Sequence, residues 1–479
     1  MVNNNHLELN VTSEIGTLRA LLIHSPDSGL GKVVPSKAQD WLFEDIVHLD
    51  TLRVNEYDYY VKLLMYFLDG DKIKGKLKDI DAGRGFYKPD DKAFHASYKV
   101  IEMQLLLSQI LEDADIRTKL VAAVCAIENC NYRLQEQLNS TEPVELAKIF
   151  ISGSIDDANH MIFAPIPNLI FSRDIGIIIG KHILINKPAK KARARETLLA
   201  RYIFFNHPMF AAYRGNILEI PETVQHFLRP GDEQDEKTTL EGGDVMVVSP
   251  KHVIIGCSER TSASGANEAI KLLFRNNVVD KVTIVKIPHK RDYMHIDTIF
   301  TQVKRNVWVL LGSLAITQAA VDEQEPISWF VDKKLKHRPE IIQFFRDGSQ
   351  PKNFNSLEDL LDDISRVDLK STTPTKFIYS GANTFPYDAR EQWTDSCNLL
   401  ALKEGVVLGY DRNDKTVEAF KQSGFETIKV AELLEQLENG SASIDTIKDT
   451  LILMPSSELS RARGGFHCMS LPLIRDIVA

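Results

Sequence analysis

The chain has 479 residues, 57 basic and 66 acidic, with a net charge of −9; 44% of it is hydrophobic and 26% charged, as in an ordinary globular protein with room for more than one structural unit. That balance argues against a broad nucleic-acid footprint, and the longest apolar run, residues 175–180, is far too short to span a bilayer. Residues 1–6 lack the basic and apolar regions of a signal peptide, and five cysteines without CxxC or zinc spacing give neither a disulfide framework nor a metal motif, so the expected setting is the cytoplasm.

In chain order, residues 18–26 (LRALLIHSP) read as a strand closed by a turn. From 40 to 68 the apolar residues Leu42, Ile46, Leu49, Tyr57, Val61, Leu64 and Leu68 recur at helical spacing, and 91–152 is also helical. The expected organisation is a helical insertion at 53–155, with a catalytic unit formed by 1–52 and 156–479. Beyond 155, short apolar strands alternate with amphipathic helices. The strands fall at 168–180, 245–249, 253–256, 282–287, 298–311, 375–380 and 405–410, and the helices near 188–205, 263–276, 356–365 and 413–423. This alternation predicts an α/β fold. No strand opens onto a GxGxxG or a P-loop. Residues 312–372 are polar and read as a surface elaboration.

Four segments carry chemistry: Phe171-Ser172-Arg173-Asp174, Glu241-Gly242-Gly243-Asp244, His295-Ile296-Asp297, and the tail Arg463-Gly464-Gly465-Phe466-His467-Cys468. Singly each is unremarkable: Glu-Gly-Gly-Asp is a common turn, and a cysteine is most often a small buried hydrophobe. Together they supply three acids, a proton carrier and a nucleophile. If 295–297 is extended, His295 and Asp297 face the same way. The similar His48-Leu49-Asp50 lies in a helical stretch, where side chains two apart diverge, so it is expected to be a decoy. Clustered carboxylates call for a cation between them. A guanidinium fits, being planar with five donors, and a thiolate could attack its central carbon from above the plane while His295 protonates the departing amine.

These motifs, in this order, resemble the arginine deiminases of the guanidino-group-modifying (pentein) superfamily. Lesser matches are Ser13-Glu14-Ile15-Gly16, Leu42-Phe43-Glu44-Asp45, Ser258-Glu259-Arg260-Thr261 and Arg390-Glu391-Gln392-Trp393. The resemblance implies a five-bladed, pseudo-symmetric α/β propeller with a helical insertion, converting L-arginine to L-citrulline and ammonia through a covalent intermediate on Cys468, with no metal or organic cofactor. It implies Cys468, His295, Glu241, Asp174 and Asp297 as catalytic residues, with Asp174 and Asp297 clamping the guanidinium and Glu241 orienting His295. It implies Asn168, Phe171, Arg193, Asp244, Arg260, Arg463 and Leu42 as substrate contacts. Among these, Arg193, Arg260 and Asn168 would hold the carboxylate, which sets the pattern apart from agmatine deiminase. Phe466 makes the catalytic loop bulkier than the family's usual residue. The alternatives are another guanidine reaction (amidino transfer, or hydrolysis of a substituted arginine) and a relative that binds arginine without turning it over. The expected partner is a small guanidine substrate, not nucleic acid or membrane; the oligomeric state is open, a homo-oligomer included.

Overall fold

Five times along the chain, two antiparallel strands are followed by a third that returns parallel to the second. The computed structural model describes residues 7–38, 40–83, 85–155, 160–221, 237–315 and 339–478. In one sheet Gly176–Ile179 pairs antiparallel with His182–Ile185, which takes Ile217–Glu219 in parallel after the helix Ala194–Asn206. In the next, Val245–Ser249 and His252–Cys257 precede the helix Ala263–Arg275 and the parallel strand Lys281–Lys286. Phe300–Lys304, Val307–Leu310 and Lys376–Tyr379 repeat the pattern, as do Leu400–Lys403, Val406–Tyr410 and Thr450–Met454. The fifth sheet joins the chain ends: Leu471–Arg475 runs antiparallel to Leu18–Ile23, which pairs in parallel with Val100–Glu102.

This is the five-bladed α/β propeller expected, and its strands form for a simple reason. Val245–Ser249 and His252–Cys257 are buried at every position, so they read as unbroken apolar runs rather than alternating ones. The outer helices are capped by ordinary chemistry. Ser262, for example, accepts a hydrogen bond from the Gly265 N–H at 3.0 Å.

Helices dominate 53–155, including Asp58–Leu68, Met103–Ile110, Ala114–Glu128, Tyr132–Asn139 and Pro143–Ser152, but the strand Val100–Glu102 lies among them and completes the fifth sheet. Residues 156–159, where the catalytic unit was expected to resume, fall outside the described residues. So do 316–338 of the polar stretch; its later part adds the strands Glu340–Phe345 and Lys352–Phe354 to the edge of one sheet.

Two expected strands are corrected. Residues 168–180 form two single turns of 3₁₀ helix, Pro167–Ile170 and Ser172–Ile175, before the strand Gly176–Ile179. Pro167 presets helical φ and has no N–H to give a sheet. Residues 298–311 are a hairpin, Phe300–Lys304 with Val307–Leu310, not one strand.

An apolar cluster built on Leu18, Leu21, Tyr60, Leu64, Leu408 and Met454 also takes in Phe466, Cys468 and Met469. The cysteine tail is therefore seated in a core. No helix among the described residues is long and apolar enough to cross a membrane.

Candidate active site

The segments that carried the motifs share one position in the fold, just before the first strand of a sheet. Ser172–Ile175 leads into Gly176–Ile179, Gly242–Asp244 into Val245–Ser249, Ile296–Thr298 into Phe300–Lys304, and Cys468 precedes Leu471–Arg475. The remaining sheet contributes Asp395 and Asn398 ahead of Leu400–Lys403. Pseudo-symmetry thus converges five loops on one point.

The cavity there is lined by residues that include Leu42, Asn168, Phe171, Asp174, Arg193, Glu241, Arg260, His295, Arg463 and Cys468. Ten of the twelve expected residues meet at this wall, and two lie behind it. Asp297 is fully buried next to Cys468, whose Sγ donates to its Oδ2 at 3.5 Å. Asp244, expected to touch substrate, instead accepts hydrogen bonds from the Ser258 hydroxyl at 2.6 Å and the Ile296 N–H at 3.0 Å. Both of its oxygens are occupied, one holding the turn that carries His295 and the other the Ser258 loop, so the contacts it makes are internal. His48, the decoy, caps an exposed turn through Thr51.

His295 and Asp297 do not lie on a strand. His295 is extended but is followed by a single 3₁₀ turn, closed where the Thr298 hydroxyl donates to the His295 carbonyl at 2.8 Å. The two side chains consequently serve different neighbours. His295 Nε2 lies 3.1 Å from Glu241 Oε2, and Asp297 Oδ2 lies 2.9 Å from His467 Nδ1. Burial disfavours charge on His295, but the carboxylates of Asp174, Glu241 and Asp244 outweigh it and push its pKa up to about 10, so it is protonated at neutral pH. For Glu241 burial acts upward, yet the hydrogen bond with His295 and the charges of Arg193 and Arg260 hold the carboxyl well below its usual range. Cys468 is driven the other way: burial, then the charges of Asp297, Asp174 and Asp395, raise its thiol well above the ordinary value.

Asn398 brackets Cys468, accepting from its N–H at 3.0 Å through Oδ1 and donating to Sγ at 3.2 Å through Nδ2. His467, next to the cysteine, is turned away from it. Its ring spans Asp297 and Glu14, with Nε2 at 3.2 Å from Glu14 Oε2. Glu14 is itself gripped by Arg173 at 3.5 and 3.4 Å. Asn398 and Asp395 went unread because no local pattern marks them, and Glu14 was seen only as part of Ser13-Glu14-Ile15-Gly16, without a role. The signal that finds Asn398 and Asp395 is the repeated position ahead of each sheet.

Arg193 is placed differently from expectation. Its Nη1 donates to Asp174 Oδ2 at 2.6 Å and to Glu241 Oε2 at 3.4 Å, while Nε donates to Glu196 at 2.8 Å. A guanidinium of the chain itself thus fills the acid clamp, and the free cavity is only about 30 Å³, space for a water molecule rather than an amino acid. Asp174, Glu241 and His295 bring ligand atoms within 4.8 Å of one another, a spacing that could hold a metal ion; the Arg193 guanidinium, bonded to two of them, supplies the positive charge there. Arg260 is buried and reaches Met294 Sδ at 3.7 Å, and its Nε makes no hydrogen bond but lies 3.8 Å from Glu259 Oε1. Asn168 donates to the Trp41 carbonyl at 2.7 Å, tying the wall to Leu42, whose φ of 58° is rare for a leucine.

The chain is 29% identical over 479 residues to an arginine deiminase of Borreliella afzelii (strain PKo), covering 98% of both chains, and 29% identical over 471 residues to one of Listeria welshimeri, again covering 98% of both. Among solved structures it is similar to SxtG, an amidinotransferase from Microseira wollei, with a TM-score of 0.44 and 13% identity over 98% of this chain and 97% of that one. The profile of the arginine deiminase family matches residues 137–475, most of the chain, and with the cysteine, histidine and acid clamp in place the protein belongs to that family.

Proposed function

We propose that the protein hydrolyses L-arginine to L-citrulline and ammonia through a covalent amidino intermediate on Cys468. The observation that carries this reading is the guanidinium of Arg193 held by Asp174 and Glu241 in a cavity that Cys468 and His295 also line. The acids that grip one guanidinium can grip another of the same shape. Substrate would displace Arg193 from the clamp, leaving Arg193, Arg260 and Asn168 for the carboxylate, with Phe171 along the aliphatic stem and Leu42 near the amino end. Asp297, whose Oδ1 has no hydrogen-bond partner, would accept from a second edge of the guanidinium.

The incoming cation offsets the carboxylates that oppose thiolate formation, and the thiol proton leaves by way of Asp297 Oδ2. Sγ then bonds to the guanidinium carbon. His295, protonated at rest, gives its proton to the departing nitrogen as the C–N bond breaks and ammonia leaves. Neutral His295 next takes a proton from water attacking the same carbon; the C–S bond breaks, returning thiolate and releasing citrulline. Glu241 holds the ring in position and stabilises its charged form.

The test is product analysis with arginine, agmatine and methylated arginine. Citrulline should form from arginine and not from agmatine, which has no carboxylate, and Cys468→Ser should bind arginine without turnover. Absence of citrulline, or transfer of the amidino group to an amine, would reject hydrolysis of arginine.

A further inference from the structure

The fourth sheet reaches the site through Asp395-Ser396-Cys397-Asn398, in the position that supplies Asp174, Asp297 and Cys468 elsewhere. Asn398 has its function in holding the nucleophile. Asp395 has no contact that explains it. Its side chain is 1% exposed, no side chain bonds either carboxylate oxygen, and the Gly464 N–H, the one backbone donor that acts on it, falls short of full hydrogen-bond geometry.

Arg463, whose charge acts on Asp395, is 5% exposed, and its Nε and Nη1 are also without partners. Its guanidinium lies over the Trp393 ring, Cζ 3.7 Å from the centroid, with one long bond from Nη2 to the Asp292 carbonyl at 3.4 Å. Both residues have positive φ, 59° at Asp395 and 60° at Arg463, which is uncommon for a non-glycine residue and more so for an arginine than for an aspartate. Buried polar atoms left unpaired are costly. Here an unpaired acid and an unpaired base are neighbours, each waiting for a contact the other can make.

We propose that Asp395 is a positioning residue for Arg463: when an amino acid fills the cavity, the guanidinium leaves Trp393 and pairs with Asp395, fixing the Arg-Gly-Gly loop over the substrate. The proposal rests on arginine as the ligand. It has a proton signature. Burial pushes the Asp395 carboxyl up to about 7, so near neutrality it is part-protonated, and pairing with Arg463 expels that proton. The titratable groups around it are Arg463, Asp297, Cys468, Cys397 and Tyr410.

The experiment uses the full chain carrying Cys468→Ser, which removes both turnover and the thiol proton. Arginine binding is followed by calorimetry at pH 7 in two buffers of different ionisation enthalpy. Asp395→Asn keeps the side-chain shape and tolerates left-handed backbone. It should weaken binding about tenfold or more and lower the number of protons released, and adding Arg463→Gln should cost nothing further. As a check that needs no substitution at Asp395, Trp393 emission, isolated by subtracting a Trp393→Phe variant, should change at saturating arginine. An Asp395→Asn protein that binds arginine as tightly as its parent with the same proton release overturns the proposal, as does unchanged Trp393 emission. Failure of the parent itself to bind arginine removes the arginine reading and this one with it.

Discussion

Gly464 is closely enclosed against the empty cavity's wall. A Cβ there would stand 2.2 Å from Phe171 Cε1, and Tyr410 donates its hydroxyl to the Gly464 carbonyl at 2.7 Å. Phe466, the bulky departure from the family pattern, is wedged between Tyr60 and Tyr410 at centroid distances of 5.1 and 5.0 Å. Its size anchors the loop. Gly464→Ala should therefore push Cys468 off line and lower kcat/KM on the order of 100-fold, measured by steady-state citrulline formation; an unimpaired variant would mean the loop can give way. A second expectation concerns the thiol. Because burial, Asp297, Asp174 and Asp395 raise its pKa in the empty site, Cys468 should resist alkylation by iodoacetamide until well above neutral pH. A non-reactive arginine analogue that leaves Sγ accessible should move the midpoint of thiolate absorbance downward, with Cys468→Ser as the blank for the other four cysteines. An unchanged midpoint would contradict the account. Asp174, Glu241, His295 and Cys468 were legible as chemistry because each sits in a short motif of acid, glycine or histidine. Asn398 and Asp395 were not, since a lone Asn and Asp acquire meaning only from what the fold brings beside them.

At the scale of single elements, the His295–Asp297 segment shows where periodicity misleads. Alternation predicted two side chains facing one way, but the Ile296 N–H donates to the Asp244 carboxylate and the Thr298 hydroxyl donates back to the His295 carbonyl, turning the chain into a 3₁₀ loop. Local pattern cannot anticipate an acceptor supplied from another sheet. The strand Val100–Glu102 escaped for a similar reason: three residues inside a helical stretch carry almost no period of their own. It is joined to Leu18–Ile23 by a buried charge cluster. His24 Nδ1 lies 2.9 Å from Glu102 and Nε2 lies 3.2 Å from Asp27. Burial disfavours the charged ring, but these two acids raise its pKa to about 9. A folded value above the unfolded one near 6.5 gives stability that is complete below pH ~6.5 and is lost as pH rises through about 9. His24→Gln should cost about 3 kcal/mol near neutrality, by leaving Glu102 buried without its cation, and should flatten the decline of Tm between pH ~6.5 and ~9. Thermal melts of both proteins across that range decide it; parallel curves would sink the assignment.

For the whole molecule, the five-sheet order makes the site a product of ring closure. Strand–helix alternation after residue 155 was enough to predict an α/β architecture, and the motifs enough to predict the propeller. That the first and last strands pair, Leu18 opposite Arg475, could not be read from windows of sequence, because the partners lie at opposite ends of the chain. Arg475 fastens this seam: it is 1% exposed, and its Nη1 donates to the Gly16 carbonyl at 2.7 Å and the Ala401 carbonyl at 2.9 Å. Arg475→Met keeps the apolar stem but strands two buried carbonyls. It should destabilise the protein by about 3 kcal/mol in denaturant melts, and lower activity through the neighbouring Cys468 loop. Stability equal to the parent would show that the seam does not depend on this side chain. The division into a catalytic unit and a helical insertion at 53–155 is our proposal, with the qualification that Val100–Glu102 belongs to the ring. If Cys468 attacks a guanidinium held by acids from several sheets, intact-protein mass spectrometry after acid quench during turnover of L-arginine should show a species heavier than the protein by one arginine less one ammonia, mapped to Cys468 and missing from Cys468→Ser. Citrulline formation by the Cys468→Ser enzyme at the parent rate, or an adduct mapped to any other residue, would contradict that attack.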